Sequence, residues 1–244
     1  MPGTVLILGA TSDMAIAIAR KFAAEKYNIQ LAGRNPEKLV PLKSDLIARF
    51  GVESEVFAFD ACDFKNHSSF YGNLPQKPEI VICVFGYMVE EDVARDNWVE
   101  AEKMITINFT GAASILNTIS KHFEKRGTGS IVGISSVAGE RGRQSKLFYG
   151  SAKAGFSTFL AGLRNRTAKS GVHVMSVKPG FVYTKMTAEL ELPEILTAKP
   201  EEVANAIYKG IKKKKNTIYV RWFWKWIMLI IKNIPEPIFK KMNI

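Results

Sequence analysis

The sequence predicts an α/β fold, a doubly wound parallel sheet of about seven strands with helices on both faces. Three observations carry that expectation. Short apolar runs alternate with helical stretches along the chain, the first run passes through a glycine turn into a helix, and later runs stop at Gly or Pro. The 244 residues, 47% hydrophobic and 23% charged, suit one globular domain with a sizeable core. That domain is expected over residues 1–221, followed by a basic amphipathic segment over 222–244.

Val5 to Leu8 form the first strand, and Gly9-Ala10-Thr11-Ser12-Asp13-Met14-Ala15 lead into an Ala- and Ile-rich helix reaching about Lys26. In a Rossmann-type sheet such a turn aims backbone N–H groups and a helix N-terminus at a dinucleotide pyrophosphate. Gly9, Thr11, Ser12, Asp13 and Met14 are the candidate contacts, although an ordinary βα turn would read alike. Asp13 suits a helix N-terminus. As an anion beside pyrophosphate it is unfavourable, so its carboxylate is expected to turn away. Ile29 to Ala32 form the second strand, ending at Gly33-Arg34-Asn35-Pro36. An acid here would hold the ribose hydroxyls of NAD, whereas Arg34 can accommodate the 2′-phosphate of NADP. NADP(H) is therefore expected in preference to NAD(H), though an exposed arginine after a strand is commonplace. Pro36 opens a helix that ends near Gly51. Glu55 to Phe59 form the third strand, and Asp60-Ala61 fall at the adenine end of the cleft.

Glu79 to Phe85 give a fourth strand, with Gly86 beneath the cofactor ribose. One long helical stretch follows from about Asp96 to Arg126. Asn108 lies within it among Ile105, Ile107 and Phe109, either as a satisfied core amide or at a kink that holds water near Lys153. Ile131 to Ile134 form the fifth strand and place Ser135 and Ser136 at its C-terminal end, where open α/β sheets bind ligands. A polar loop then turns helical near Phe148. Tyr149 and Lys153 share one face of that helix. A phenol of ordinary pKa about 10, a cation that stabilises its phenolate and a hydroxyl that orients an oxygen together suit proton transfer to or from a carbonyl or alcohol. Spacing alone does not establish this. Tyr208 and Lys212 repeat it in a lysine-rich helix with no strand or serine before it, and a half-buried aromatic on a packing helix would also look like Tyr149.

Val172 to Val177 form the sixth strand, stopped by Pro179 and Gly180. The stretch from about Lys185 to Pro200, with Met186, Leu190, Leu192, Ile195 and Leu196, suits a lid over the substrate. Pro200-Glu201-Glu202 opens a helix reaching Lys212 to Lys215, and Thr217 to Val220 form the last strand. Cys62 and Cys83 lie beside or within strands without metal-ligand spacing and are expected to be buried free thiols of a reducing cytosol. Three isolated histidines suggest no zinc site. Met1 to Thr4 run straight into the first strand, so no signal peptide is evident and a cytoplasmic location is expected.

With these residues in place the chain resembles the short-chain dehydrogenase/reductase family over nearly its full length. The resemblance rests on the Gly9 turn, Asn108 in ITINFTGA, Ser136 in ISSVAG, Tyr149 and Lys153 in YGSAK, and Pro179-Gly180 leading to Thr184. It implies an NAD(P)(H)-dependent oxidoreductase in which Tyr149 is the proton donor and acceptor and Ser136 binds the substrate oxygen. It further implies that Lys153 lowers the tyrosine pKa and holds the nicotinamide ribose, and that Asn108 anchors a relay water. Ser136 is preferred to Ser135 because it stands thirteen residues before Tyr149. Val182 and Thr184 match positions that hold the carboxamide and phosphate. Asp13 and Ala15 depart from the glycine pattern, as does Val84-Phe85-Gly86 where the family has Asn-Ala-Gly. Within the family, SSVAGERGRQSKLFYGSAKAGF, KPGFVYTKM and IMLIIKNIPEPIFKKMNI are similar to the decaprenylphosphoryl-2-keto-erythro-pentose reductases, which implies a lipid-linked keto substrate. The family also implies a homo-oligomer.

The C-terminus points to a membrane surface independently. From Lys209 to Ile244 there are ten basic residues and one acid, Glu236, a balance of +9 out of +11 for the chain. Trp222 to Ile231 is apolar but shorter than the ~20 residues that span a bilayer, and Lys225 interrupts it. Tryptophans, aliphatics and flanking lysines fit a helix lying on anionic lipid, ended by Pro235 and Pro237, peripheral on the inner face of the membrane. Packing on the core or on a partner subunit would use the same residues. No recognised nucleic-acid module is present. Two other readings stay open: a soluble 3-oxoacyl thioester or steroid-type ketoreductase, and a non-catalytic dinucleotide-binding protein of the membrane surface.

Overall fold

A computed structural model describes residues 3–188 and 192–242. Seven strands form one parallel sheet: β1 (Thr4–Leu8), β2 (Asn28–Gly33), β3 (Ser54–Ala58), β4 (Ile80–Cys83), β5 (Gly129–Ile134), β6 (Val172–Pro179) and, at the far edge, Thr217–Val220. Their order is β3-β2-β1-β4-β5-β6 followed by the Thr217–Val220 strand, so the chain winds outward in both directions from β1. The inner strands are buried on both faces, whereas the edge strands β3 and Thr217–Val220 are partly exposed. Val5 and Ile7 of β1 point into one core layer, packed under helices α1 (Asp13–Ala24) and α2 (Val40–Phe50). Leu6 and Leu8 point into the other, against α3 (His67–Gly72) and the helices around Ile115 and Phe156.

The long helix expected from Asp96 to Arg126 is broken. It comprises α4 (Glu91–Asp96), α5 (Trp98–Ile105), a π-helical turn (Thr106–Gly111) and α6 (Ala112–Arg126). Asn97 makes the first break: its backbone is extended at φ −127° and its side chain accepts the Val99 N–H at 3.1 Å, capping α5. The second break contains Asn108. Cys62 also departs from expectation. It is exposed, in a turn after β3 held by its N–H to Asp60 Oδ1 at 2.9 Å, whereas Cys83 is buried in β4 with its thiol pushed up to about 12 by desolvation.

After β5 a loop leads into α7 (Leu147–Thr167) and then β6. Between β6 and the next helix a parallel pair, β7 (Phe181–Val182) with β8 (Thr197–Ala198), ties down the two ends of the segment expected to be a lid. Leu190 lies outside the described residues. Helix α8 (Pro200–Lys212) packs beside α1 on the first face, and β9 (Thr217–Val220) closes the sheet edge.

Beyond β9 the chain returns to the body. Helix α9 (Trp224–Asn233) stops before Pro235, and a short α10 (Glu236–Phe239) follows. Trp224 and Met228 of α9 are buried with Val137, against Phe181, Leu196 and Tyr219. Two residues of the β5–α7 loop hold this segment. Arg141 Nη1 donates to the carbonyls of Ile231, Lys232 and Ile234 at 3.0, 2.8 and 2.7 Å, satisfying the C-terminal end of α9. Its other nitrogen meets Glu236 at 2.8 Å, and the guanidinium lies 3.8 Å from the Phe239 ring centroid. The buried carboxylate of Glu140 takes Lys178 at 2.5 Å, the Tyr219 hydroxyl at 2.6 Å and Lys232 at 3.4 Å. Those partners outweigh its desolvation and hold the acid below the usual range. Among the described residues no helix is long and apolar enough to cross a membrane, and no cluster of potential metal ligands occurs.

Candidate active site

The C-terminal ends of β1, β4, β5 and β6 open into a cavity of about 580 Å³. At one end is the turn after β1. Gly9 has φ +88°, and a Cβ there would lie 2.6 Å from the Phe85 backbone, so conformation and close approach both require glycine. Thr11, Ser12, Asp13 and Met14 line the cavity. Ser12, not Asp13, caps α1, accepting the Ala15 N–H at 3.2 Å. The Asp13 carboxylate accepts the Lys185 N–H at 2.8 Å.

At the other end stand the phenol, ammonium and hydroxyl. Ser135 and Ser136 leave β5 in opposite directions, as successive extended residues must. Ser135 is buried, with its hydroxyl 3.0 Å from the Lys153 carbonyl oxygen and 2.7 Å from Ser157 Oγ, so it fixes α7. Ser136 faces the cavity and is hydrogen-bonded to Tyr149. Lys153 is 4% exposed, donates to the Ile134 carbonyl at 3.0 Å and lies 5.7 Å from the Tyr149 ring centroid. Burial pushes the phenol up to about 12, partly opposed by the Ser136 hydrogen bond, and pulls the ammonium down to about 8. Such a trio can pass a proton to or from an oxygen placed between Ser136 and Tyr149.

Asn108 sits behind the cavity. It is 1% exposed, and its amide donates to the carbonyls of Met104 at 2.8 Å and Tyr87 at 2.6 Å while accepting the Tyr87 N–H at 3.3 Å. The side chain is thus satisfied, and the kink is the π turn that contains it. A Cβ on Gly86 would come within 2.9 Å of Asn108 Oδ1 and 3.7 Å of Lys153 Nζ, so Gly86 lets the two residues flank one floor. Pro179, Gly180, Val182 and Thr184 line the opposite wall. Arg34 and Asp60 do not reach this cavity; they line an adjoining groove of about 210 Å³ with Asp63, Asn66 and His67. Ala61 is buried instead, its carbonyl oxygen against Gly111.

Several lining residues were not among the sequence candidates. Val137, Met88 and Phe181 add apolar wall, Arg143 and Lys146 add charge, and Trp224 arrives from α9. A Cβ on Gly180 would strike the Trp224 indole at 2.0 Å, so this glycine is what admits the ring. Nothing local in the sequence marks Trp224 among three tryptophans. The β5–α7 loop did carry a signal, three basic residues between Ser136 and Tyr149 besides one acid.

A dinucleotide fits the cleft's construction. A helix N-terminus and a glycine turn face one end, the Asp13 carboxylate there is engaged by the Lys185 N–H, and a buried ammonium stands at the other. The short chain dehydrogenase family model matches residues 3–194. An uncharacterized oxidoreductase of Streptomyces coelicolor is 30% identical over 244 residues, covering 99% of this chain and 96% of the relative. A serine 3-dehydrogenase of Agrobacterium fabrum is 31% identical, covering 90% of this chain and 87% of the relative. Among solved structures, a short-chain dehydrogenase from Sphingobium yanoikuyae in complex with NADPH superimposes with a TM-score of 0.84 at 24% identity, covering 97% of both chains.

Proposed function

The chain belongs to the short-chain dehydrogenase family of NAD(P)-dependent oxidoreductases, and from that premise we propose that it reduces a ketone to a secondary alcohol, reversibly, with NADP(H) preferred to NAD(H). The observation that carries this reading is the Tyr149–Ser136 pair facing the cavity with the Lys153 ammonium behind it. When bound, the nicotinamide supplies or takes the hydride. The Ser136 hydroxyl donates to the substrate oxygen and fixes its position. Tyr149 gives that oxygen its proton during reduction and takes it back in the reverse direction. Lys153, kept dry by its surroundings, favours the phenolate left after transfer. Thr11, Ser12, Met14, Val182 and Thr184, which line the cleft, would hold the cofactor, and the Asn108 turn and Gly86 would support its ribose. The preference for NADP(H) rests on Arg34, which stands exposed at the end of β2 where an acid would favour NAD(H).

The substrate we propose is a keto group on a lipid-linked molecule, such as a polyprenyl-linked keto-sugar, met at an anionic membrane surface. Helix α9 supports this. Its inner side packs on the pocket, while Trp226, Leu229 and Ile230 are 52, 48 and 67% exposed beside Lys225 and Lys232. Trp222 and Ile238 extend the same apolar and basic surface. The exposed Trp98 and Val99 on α5, 65 and 66%, support self-association. Purified protein should oxidise NADPH faster than NADH with keto-sugar and keto-acyl substrates, and lipid-linked substrates should be turned over faster on anionic liposomes. Tyr149→Phe protein that binds NADPH and still turns over at the parent rate would remove the mechanism. A Trp226→Glu, Ile230→Glu double variant that still cosediments with anionic liposomes as the parent does would remove the membrane contact.

A further inference from the structure

We propose that the cavity contains a second subsite, for an oxyanion carried by the substrate near its reacting carbonyl, and that Arg143 is the principal ligand of that anion. The inference rests on the reading above, that the cavity reduces a ketone, and deepens it by naming a chemical class of substrate. Four arginines are partly buried: Arg141, Arg143, Arg164 and Arg221. Three are fully engaged. Arg141 holds three carbonyls and Glu236; Arg164 donates to the carbonyls of Val174 and Asn216 at 2.8 and 2.7 Å; Arg221 meets Glu202 at 3.1 Å and the carbonyl of Glu194 at 3.0 Å. Arg143 is the exception. It lines the cavity, its Nε is shielded from solvent without a hydrogen-bond partner, and among the described residues it has neither a side-chain hydrogen bond nor an ion pair. Burial pulls its guanidinium below the usual range with nothing opposing the shift. A half-buried guanidinium whose shielded Nε has no protein partner keeps its hydrogen-bonding capacity for an anion that enters the cavity.

The surroundings have the matching sign. Ser145 and Lys146 follow on the same loop and line the same cavity, and Lys185 lines it from the opposite lip. Among the described residues the one carboxylate in the lining, Asp13, already accepts the Lys185 N–H. A guanidinium fork with a lysine beside it suits a phosphate or carboxylate. The position assigns the anion to the substrate. Arg143 and Lys146 belong to the loop that runs from Ser136 to Tyr149, on the side of the reacting oxygen, whereas the cofactor's pyrophosphate is served by the turn after Gly9.

The test uses NADPH-saturated enzyme and three probes of one ring size, phenyl phosphate, benzoate and benzyl alcohol, titrated by calorimetry. Either anion should bind about tenfold or more tightly than the alcohol, and Arg143→Gln should abolish that preference while Arg143→Lys keeps part of it. The two anions distinguish a phosphate from a carboxylate source. Arg143→Gln should melt no lower than the parent, because no partner is lost with the guanidinium. If that variant does not fold, Lys146→Gln makes the same comparison with a smaller loss, about two- to fivefold. Unchanged anion preference in the folded variants would overturn the subsite. So would a tenfold loss of NADPH affinity in Arg143→Gln, which would give the arginine to the cofactor. Because binding is read without turnover, failure to reduce any ketone would strike the reductase reading and leave this measurement standing. In turnover, the kcat/KM ratio of dihydroxyacetone phosphate to dihydroxyacetone should fall about tenfold or more in Arg143→Gln.

Discussion

Tyr149 and Lys153 in α7 have a twin in Tyr208 and Lys212 of α8. Both pairs stand four residues apart on a helix, and in both the ammonium lies near the ring, 5.7 Å from its centroid in the first and 5.5 Å in the second. Their surroundings differ. The α7 pair is enclosed at the end of β5, with Ser136 on the phenol and the Ile134 carbonyl on the ammonium. The α8 pair is at the surface, where the Tyr208 hydroxyl donates to Glu25 at 2.7 Å and Lys212 is exposed. Burial drives the first phenol up and the first ammonium down. In the second pair the phenol is raised chiefly by its bond to the Glu25 carboxylate, and the ammonium is raised chiefly by the charge of Tyr27. The same spacing supplies contact in both pairs, and enclosure is what moves the first pair far from its ordinary values.

The largest contrast is expected on removing the hydroxyls. Tyr149→Phe should lower turnover by roughly 10³-fold or more while cofactor binding persists, and Tyr208→Phe should stay within about twofold of the parent. Steady-state rates and a cofactor titration decide it, and similar losses in both would mean that position at the sheet end confers nothing.

The lysines should separate on two axes. Lys153→Met should cost about 10²-fold in turnover, yet raise stability near pH 7 by up to about 3 kcal/mol, because the shift from 10.5 to about 8 measures the penalty of holding that cation dry. Lys212→Met should change neither. Urea unfolding curves give the stability, and a less stable Lys153→Met protein would contradict the buried-cation account.

The pH profile sharpens the same point. Ketone reduction should decline as pH rises through about 8, where Lys153 loses its proton. The linkage to folding has a definite sign. The unfolded lysine keeps its proton to about 10.5, the folded one only to about 8, so stability from this group grows between those values and is lost as pH falls through them. Tyr149 acts oppositely, its contribution declining from about pH 10 toward 12. Lys153→Met should erase the rise between pH 8 and 10.5 in parallel unfolding curves. The smallest effect belongs to the surface pair: Glu25→Gln should move the Tyr208 phenol down toward its ordinary value in an ultraviolet titration, with no change in turnover.

Most of the sheet and the floor of the site were legible because their signals are local. Val5–Leu8 before Gly9, Ile131–Ile134 before Ser136 and Tyr149 before Lys153 each announce themselves within a few residues. What stayed hidden was set by contacts between distant segments. Asp13 finds Lys185 172 residues away, and Trp224 reaches a cavity whose other walls come from β1, β4, β5 and β6. The break before α5 rests on a single capping asparagine. Cys62 was misplaced because the strand ends at Ala58 and the turn after it faces outward. Arg143 went unselected because an arginine in a polar loop is ordinarily solvated, and only its enclosure makes it unusual.

The anchoring of α9 by Arg141 also bears on biogenesis. Arg141 and its first carbonyl partner, Ile231, are 90 residues apart. At roughly 5–20 residues per second, a ribosome delivers that partner about 5 to 20 s after the arginine. During this interval the β5–α7 loop has no α9 to grip and the cavity lacks its Trp224 wall, so a nascent chain carries Tyr149 and Lys153 before it has a closed pocket for them. Docking of α9 therefore follows synthesis of the cavity's other walls and closes the pocket last.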